Sequence, residues 1–149
     1  MQTPPTNTPF NMENFTAIYQ RFDSNTLLRL PWVYSPDIVF KDPIHELQGI
    51  EALKNYFARF CNADTQCSFV FLNLLVTDEQ AFIQWQMHYR HASLQQGQIL
   101  TLNGGSLIKF NSHIYYHEDF YDMGAMIYQH LPLLGWAVKK INARLAGKA

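Results

Sequence analysis

The strongest constraint on this chain is a change of period near its middle. From Cys67 onward, apolar and polar residues alternate by twos through long runs, a pattern that belongs to strands with one buried face. Within the run from Ala81 to His91, Ile83, Trp85, Met87 and Tyr89 fall on one side, and Gln84, Gln86 and His88 on the other. The run from Cys67 to Val76 precedes it across Thr77-Asp78-Glu79. Gln95-Gln96-Gly97 leads into Ile99 to Phe110, and Asn111-Ser112 into Ile114 to Asp122. Connections this short join antiparallel neighbours, so the second half of the chain predicts a meander. Asn103-Gly104-Gly105, inside the third run, predicts a bulge or sharp bend, because glycine otherwise weakens a strand.

Before Cys67 the period is helical. Phe15, Ile18, Tyr19 and Phe22 recur on one face of a helix predicted over Phe10 to Phe22. Asp23-Ser24-Asn25 supplies caps for a second helix holding Leu27, Leu28 and Leu30. Pro31 ends or kinks it, with the helical face able to resume through Val33 and Tyr34. Ser35-Pro36-Asp37 reads as a turn and Ile38-Val39-Phe40 as a short strand. A third helix runs from Ile50 to Cys61 around Leu53, Tyr56, Phe57 and Phe60, after a loop closed by Gly49. At the far end, Asp122 is placed to cap a helix from Met123 that holds Met126, Ile127 and His130 and breaks at Pro132. A last helix follows Gly135, with Leu134, Val138, Ile141 and Leu145 as its apolar stripe.

Helices first and a meander second make an α+β fold. The expected shape is a cone-shaped roll: three N-terminal helices packed on a strongly bent antiparallel sheet, plus the C-terminal helix. Residues 10–149 read as one domain behind a flexible, proline-rich segment 1–9. With 48% hydrophobic and 15% charged residues, disorder is excluded. No apolar run approaches the ~20 residues that span a bilayer, and the N-terminal segment has no apolar signal stretch, so a cytoplasmic location is expected. Cys61 and Cys67 form no metal-type or disulfide framework and read as reduced packing residues. A net charge of −1 gives no signal for nucleic acid. Charge is nonetheless uneven: Lys139, Lys140, Arg144 and Lys148 follow Val138 without any acid. The final helix is therefore expected to cover the cone with a solvated basic face. Weak contact with an anionic membrane surface is its alternative use.

The chemistry concentrates in Ile114-Tyr115-Tyr116-His117-Glu118-Asp119-Phe120-Tyr121-Asp122. Read as a regular strand, Tyr115, His117, Asp119 and Tyr121 share one side, while Tyr116, Glu118 and Phe120 share the other. A side carrying an imidazole, a carboxylate and two phenols fits the inner wall of a pocket. There, desolvation would suit Asp119 to acid–base work, with His117 two residues away as its proton partner. Trp85, Met87 and Tyr89 serve equally as pocket lining or plain core. No metal site is expected: His45-Glu46 and His117-Glu118 have Gly49 and Tyr121 where a second histidine would stand. Neither a glycine-rich phosphate loop nor a GxSxG nucleophile motif is present, and no cofactor is expected.

Three segments together resemble the SnoaL-like, nuclear transport factor 2-like superfamily. They are Ser35-Pro36-Asp37-Ile38-Val39-Phe40-Lys41-Asp42-Pro43, Gly49 with its following helix, and the Asp119-Phe120-Tyr121-Asp122 ending, which is similar to limonene-epoxide-hydrolase-like members. In the steroid isomerases of this superfamily an aspartate before proline is the base, and the resemblance puts Asp42 there. It also puts Phe22 and Ser106 where the isomerase holds its oxyanion with a tyrosine and a protonated aspartate. Losing one such donor costs about two to three orders of magnitude in rate, so a close copy of that isomerase is rejected. In the epoxide hydrolases Asp119 matches one catalytic aspartate. Trp85 and Met87 replace the arginine and the second aspartate, and Phe40 and Asp42 replace the water-positioning pair. Both known chemistries are broken while the pocket is kept.

The resulting expectation is a protein that binds a small apolar or aromatic molecule. Its enzymatic form would be acid–base chemistry of isomerase, hydrolase or cyclase type, with Asp119 and Asp42 as principal groups and His117 assisting. Trp85, Met87, Tyr89, Phe40, Tyr115, Phe22 and Ser106 are the expected ligand-binding residues. The alternatives are a non-catalytic ligand sensor and an interaction protein with a vestigial pocket. The resemblance further implies a homodimer formed through the sheet face.

Overall fold

A computed structural model describes residues 10–61, 65–92, 97–122, 124 and 132–148. Helix α1 (Met12–Gln20) starts at Asn11, whose side chain accepts the Glu13 amide at 2.7 Å, and buries Phe15, Ile18 and Tyr19. Phe22 lies beyond the helix, in an isolated bridge to Cys67. Helix α2 (Ser24–Val33) starts at Asp23, whose carboxylate accepts the Asn25 amide while its own amide donates to the Thr26 hydroxyl. Pro31 does not break α2. It forgoes only the bond to the Leu27 carbonyl, and the helix ends two residues later in any case, where the Tyr34 amide closes on the Leu30 carbonyl.

Strand β1 (Tyr34–Lys41) follows without a turn, so Ser35-Pro36-Asp37 is extended. This stretch lies where the pairing of β1 skips from Tyr34 to Val39, so Pro36 is not required to donate to a ladder. A three-residue strand β2 (Glu46–Gln48), not anticipated from the sequence, pairs back on β1. Gly49, at φ 92°, turns the chain into α3 (Ile50–Phe57), which tightens into a 3-10 turn over Ala58–Phe60. Strands β3 (Thr65–Val76), β4 (Gln80–His91), β5 (Leu100–Phe110) and β6 (Ile114–Tyr121) complete one sheet in the order β2-β1-β6-β5-β4-β3.

The α+β architecture is the expected one, with one correction: the sheet is mixed, because β1 runs parallel to β6. Helices α1 to α3 cover its inner face, where Phe15, Leu30, Leu53, Ile83, Ile108 and Ile114 are fully or almost fully buried. Each such burial contributes about 1.5–3 kcal/mol. On β4, Ala81, Ile83, Trp85 and Met87 point inward, as the alternation predicted.

No bulge occurs at Gly104 and Gly105, which pair in unbroken register with Trp85 and Gln84. Their role is clearance: a Cβ on Gly104 would lie 2.3 Å from the Trp85 ring, and one on Gly105 2.6 Å from Phe82. The register shifts instead near Phe71 in β3 and near Tyr115 in β6.

The last helix, α4 (Pro132–Leu145), begins before Gly135. Among the described residues most of its stripe is uncovered: Leu134, Ile141 and Leu145 are exposed, Leu145 to 82%, and Val138 alone is half-buried, beside Gly124. The expected helix around Met126, Ile127 and His130 lies outside the described residues, as does segment 1–9. Asp122, the expected cap, accepts the Gly124 amide on its carboxylate at 2.7 Å. No helix among the described residues is long and apolar enough to cross a membrane.

Candidate functional site

The site begins with an irregularity in β6. Phe110 pairs with Ile114 and Lys109 with Tyr116, so Tyr115 is an extra residue with no partner across the ladder. The bulge turns Ile114 into the core and leaves Tyr115 41% exposed. The expectation that Tyr115 binds ligand is thereby corrected. Beyond the bulge the predicted alternation holds, and His117, Asp119 and Tyr121 point inward.

Six polar side chains connect through the interior. The hydroxyls of Tyr19 and Tyr34 hydrogen-bond each other, and Tyr34 Oη meets His117 Nδ1 at 2.8 Å. His117 Nε2 lies 2.6 Å from Asp119 Oδ1. The same carboxylate oxygen accepts from the Ser106 hydroxyl at 2.5 Å, and Ser106 Oγ accepts the Trp85 indole N–H at 2.8 Å. A neutral imidazole satisfies the chain: Tyr34 donates to Nδ1, and Nε2–H donates to Asp119. Burial, and then the charge of Asp119, raise the Tyr19 hydroxyl well above its ordinary pKa. Burial and Tyr19 do the same for Tyr34, so both remain donors at neutral pH. Asp119 thus has Oδ1 fixed by two donors. Its Oδ2 has no hydrogen-bond partner among the described residues, and a fifth of the side chain is exposed.

Asp42 occupies the opposite role. Its Oδ1 accepts the amides of Ile44 at 2.9 Å and His45 at 2.7 Å, with His45 Nδ1 at 3.2 Å, and its Oδ2 accepts the Tyr56 hydroxyl. Burial works against ionisation, but the Tyr56 hydroxyl and the two amides outweigh it and hold the carboxyl below its usual range. The hydroxyls of Tyr56 and Tyr121 are pushed up, first by burial and then by their neighbouring acids. Asp42 is a fixed anion that ties the loop after β1, rather than a base with a free oxygen.

That assignment has a pH signature. A carboxyl whose folded pKa lies below its unfolded value stabilises the fold above about pH 4, and the contribution is lost as pH falls through the folded value. Urea titrations between about pH 5 and about pH 3 are therefore expected to show a steeper acid loss in the wild type than in Asp42→Asn. Equal slopes would contradict the assignment.

Both acids line one small cavity, of about 50 Å³, with Tyr19, Phe22, Phe40, Tyr56, Phe57, Cys67, Phe69, Trp85, Met87, Leu102 and Tyr121. Of the expected ligand-binding residues, Trp85, Met87, Phe40 and Phe22 are in this wall. Ser106 and His117 are not, because both sit behind Asp119 and act on it. Tyr89 lies beyond the cavity toward the end of β4, between Cys67 and Leu100, and packs at the margin of the core. His45 stands over Tyr56, its ring 4.6 Å away, and is committed to Asp42. The Cys67 thiol in the wall is pushed up to about 12 by burial and then by Cys61, so it is inert, and both cysteines are unpaired.

Sequence reasoning missed Tyr19, Tyr34 and Tyr56 as functional groups, reading them only as apolar helix positions. A signal was present: a phenol on a buried helical face needs a partner for its hydroxyl. Trp85 was read as a substitute for a lost arginine. It belongs to a different network, donating through Ser106 to the acid that remains.

The SnoaL-like domain family matches residues 15–113 of the sequence. No curated protein matches it. Among solved structures, a protein of ketosteroid isomerase-like fold from Catenulispora acidiphila DSM 44928, in complex with trimethylamine, is similar with a TM-score of 0.67 and 16% identity. The similarity covers 85% of this chain and 96% of that one. An LEH-like epoxide hydrolase from M. tuberculosis gives 0.63 and 10% identity over 77% and 82% of the two chains. An NTF2-like protein of unknown function from Exiguobacterium sp. 255-15 gives 0.62 and 17% identity over 75% and 98%. At these identities the likeness is one of fold. The family match runs from α1 through the turn before β6, and the chain belongs to the SnoaL-like domain family.

Proposed function

We propose that the cone binds a small, largely apolar molecule and that Asp119 exchanges a proton with it, positioned by His117 and Ser106. The family contains polyketide cyclases, isomerases and epoxide hydrolases, all of which act on small molecules. The observation that carries the reading is the asymmetry of Asp119: one oxygen held by two donors, the other unbonded in an aromatic cavity. A carboxylate fixed in this way is oriented before any ligand arrives, which is what proton transfer requires. Asp42 has both oxygens engaged and contributes charge. A cavity of about 50 Å³ admits roughly three to five water-sized groups at ~10–15 Å³ each, so the ligand, or the part of it that enters, is compact. The Catenulispora protein in complex with trimethylamine supports a ligand of this size.

Acetone has four heavy atoms and exchangeable α-protons, which makes it a direct probe. Proton NMR in deuterium oxide is expected to show protein-dependent exchange that Asp119→Asn slows by about a hundredfold. An Asp119→Asn protein exchanging as fast as the wild type would remove the proton-transfer role.

A homodimer through the outer sheet face belongs to the same proposal. Leu75 is exposed on β3 opposite an exposed Phe82 on β4, and Phe120 is exposed on β6. Together they give that face an apolar strip. Sedimentation velocity is expected to give a dimer that Phe82→Lys weakens at least tenfold; a wild-type monomer at tens of micromolar would end this part of the proposal.

A further inference from the structure

The charges around the cavity are one-sided. Every lysine and arginine of the chain falls within the described residues, and none lines the cavity, whereas Asp42 and Asp119 both do. The hydrogen bonds to Asp42 come from two backbone amides, the Tyr56 hydroxyl and the His45 ring at 3.2 Å, so its negative charge is dispersed rather than cancelled by a lysine or arginine. Asp119 is held by the Ser106 hydroxyl and the His117 ring, with no lysine or arginine against it. A low-dielectric recess with two acids and neither lysine nor arginine in its wall raises the local concentration of positive ligands and repels negative ones.

The walls point the same way. Aromatic rings attract cations through their negative faces, most strongly where water is excluded. Trp85, the best residue for such contact, stands edge-on to Phe69 at 5.2 Å and beside Tyr121 at 6.3 Å. Tyr56 donates its hydroxyl proton to the Asp42 carboxylate, which shifts electron density into its ring and strengthens the face it presents. Of the two carboxylates, Asp119 is the one with an oxygen, Oδ2, left to meet a ligand beside this aromatic wall.

We propose that the preferred ligand of the cone is a small organic cation, a protonated alkylamine or methylated ammonium group seated between the aromatic rings and Asp119. This rests on the reading of the cone as a binding pocket, not on proton transfer by Asp119. A purely apolar ligand would use the same rings but would leave both carboxylates desolvated without compensation.

Three molecules with the same branched core separate the possibilities: tetramethylammonium and tert-butanol, equal in size, and the larger anion trimethylacetate. Binding is read at constant ionic strength from the indole signal of Trp85, one of three tryptophans, in nitrogen-15 correlation spectra. Tetramethylammonium is expected to bind at least tenfold more tightly than tert-butanol, and trimethylacetate more weakly than either. Asp119→Asn is expected to weaken tetramethylammonium about tenfold and tert-butanol severalfold less, since the amide oxygen still accepts from a hydroxyl. Tyr121→Leu, made at a half-buried position of the wall, is expected to weaken tetramethylammonium severalfold by removing a ring, and it decides the matter if Asp119→Asn does not fold. Equal binding of tetramethylammonium and tert-butanol, or a preference for trimethylacetate, would overturn the cation proposal while leaving the pocket intact. No movement of the Trp85 signal with any of the three would overturn both.

Discussion

Gly104→Val is expected to lower the unfolding free energy by about 3 kcal/mol and to disable the pocket. The first added carbon alone would fall 2.3, 2.6 and 2.7 Å from three atoms of the Trp85 ring. Overpacking of this kind costs about 1–3 kcal/mol when neighbours give way, and more when they are held. Trp85 is held: its N–H is bonded to Ser106 at 2.8 Å, and its ring packs on Phe69 and Tyr121. Any movement of the ring pulls on Ser106 and therefore on Asp119. Gly105 supplies the control. Its added carbon would meet Phe82, a partly exposed ring free to swing into solvent, so Gly105→Ala should cost under about 1 kcal/mol. Urea unfolding reads both variants, and a Gly104→Val protein within about 0.5 kcal/mol of wild type would show that the ring does not lie over the glycine.

His117→Leu carries the second large effect, again about 3 kcal/mol. The ring is 1% exposed, lies 5.0 Å from Phe40, and is bonded at both nitrogens. Leucine fills most of the space but takes away one of the two partners of the Tyr34 hydroxyl, leaving it only Tyr19, and one of the two donors to Asp119 Oδ1. An abandoned buried polar group costs about 1–3 kcal/mol, and more if charged. Glutamine, which keeps a donor and an acceptor, should recover part of the stability. The functional readout separates positioning from bulk packing: acetone exchange should fall with His117→Leu and return partly with His117→Gln. If the two variants lose stability and exchange equally, His117 is a space-filler.

These effects show what the sequence could and could not convey. Alternation on β4 placed Ile83, Trp85 and Met87 on the inner face because burial imposes period two on a strand with one dry side. Asp119 was legible for the same reason. Tyr115 was not, since the bulge beside it is set by pairing with β5, which no local pattern in β6 records. The two glycines looked like a break in the strand, whereas they answer to rings on the neighbouring strand. The parallel insertion of β1 beside β6 was equally hidden, because it joins residues about eighty positions apart that share no local signal. Asp42 was recognised by its place before proline, but its two amide bonds and its tyrosine turn a presumptive base into a fixed charge.

The bulge at Tyr115 has a consequence for how such chains are compared. Counted in residues, Ile114 and His117 are three apart and belong on opposite faces. Counted in rungs of the ladder they are two apart, and both point inward. The end of β6 that seals the core and the end that carries Asp119 are thus numbered on separate scales, offset by one. An alignment gap in the middle of this strand is then a physical feature rather than an error. Relatives should be matched rung by rung, beginning from the bond between Ser106 and Asp119.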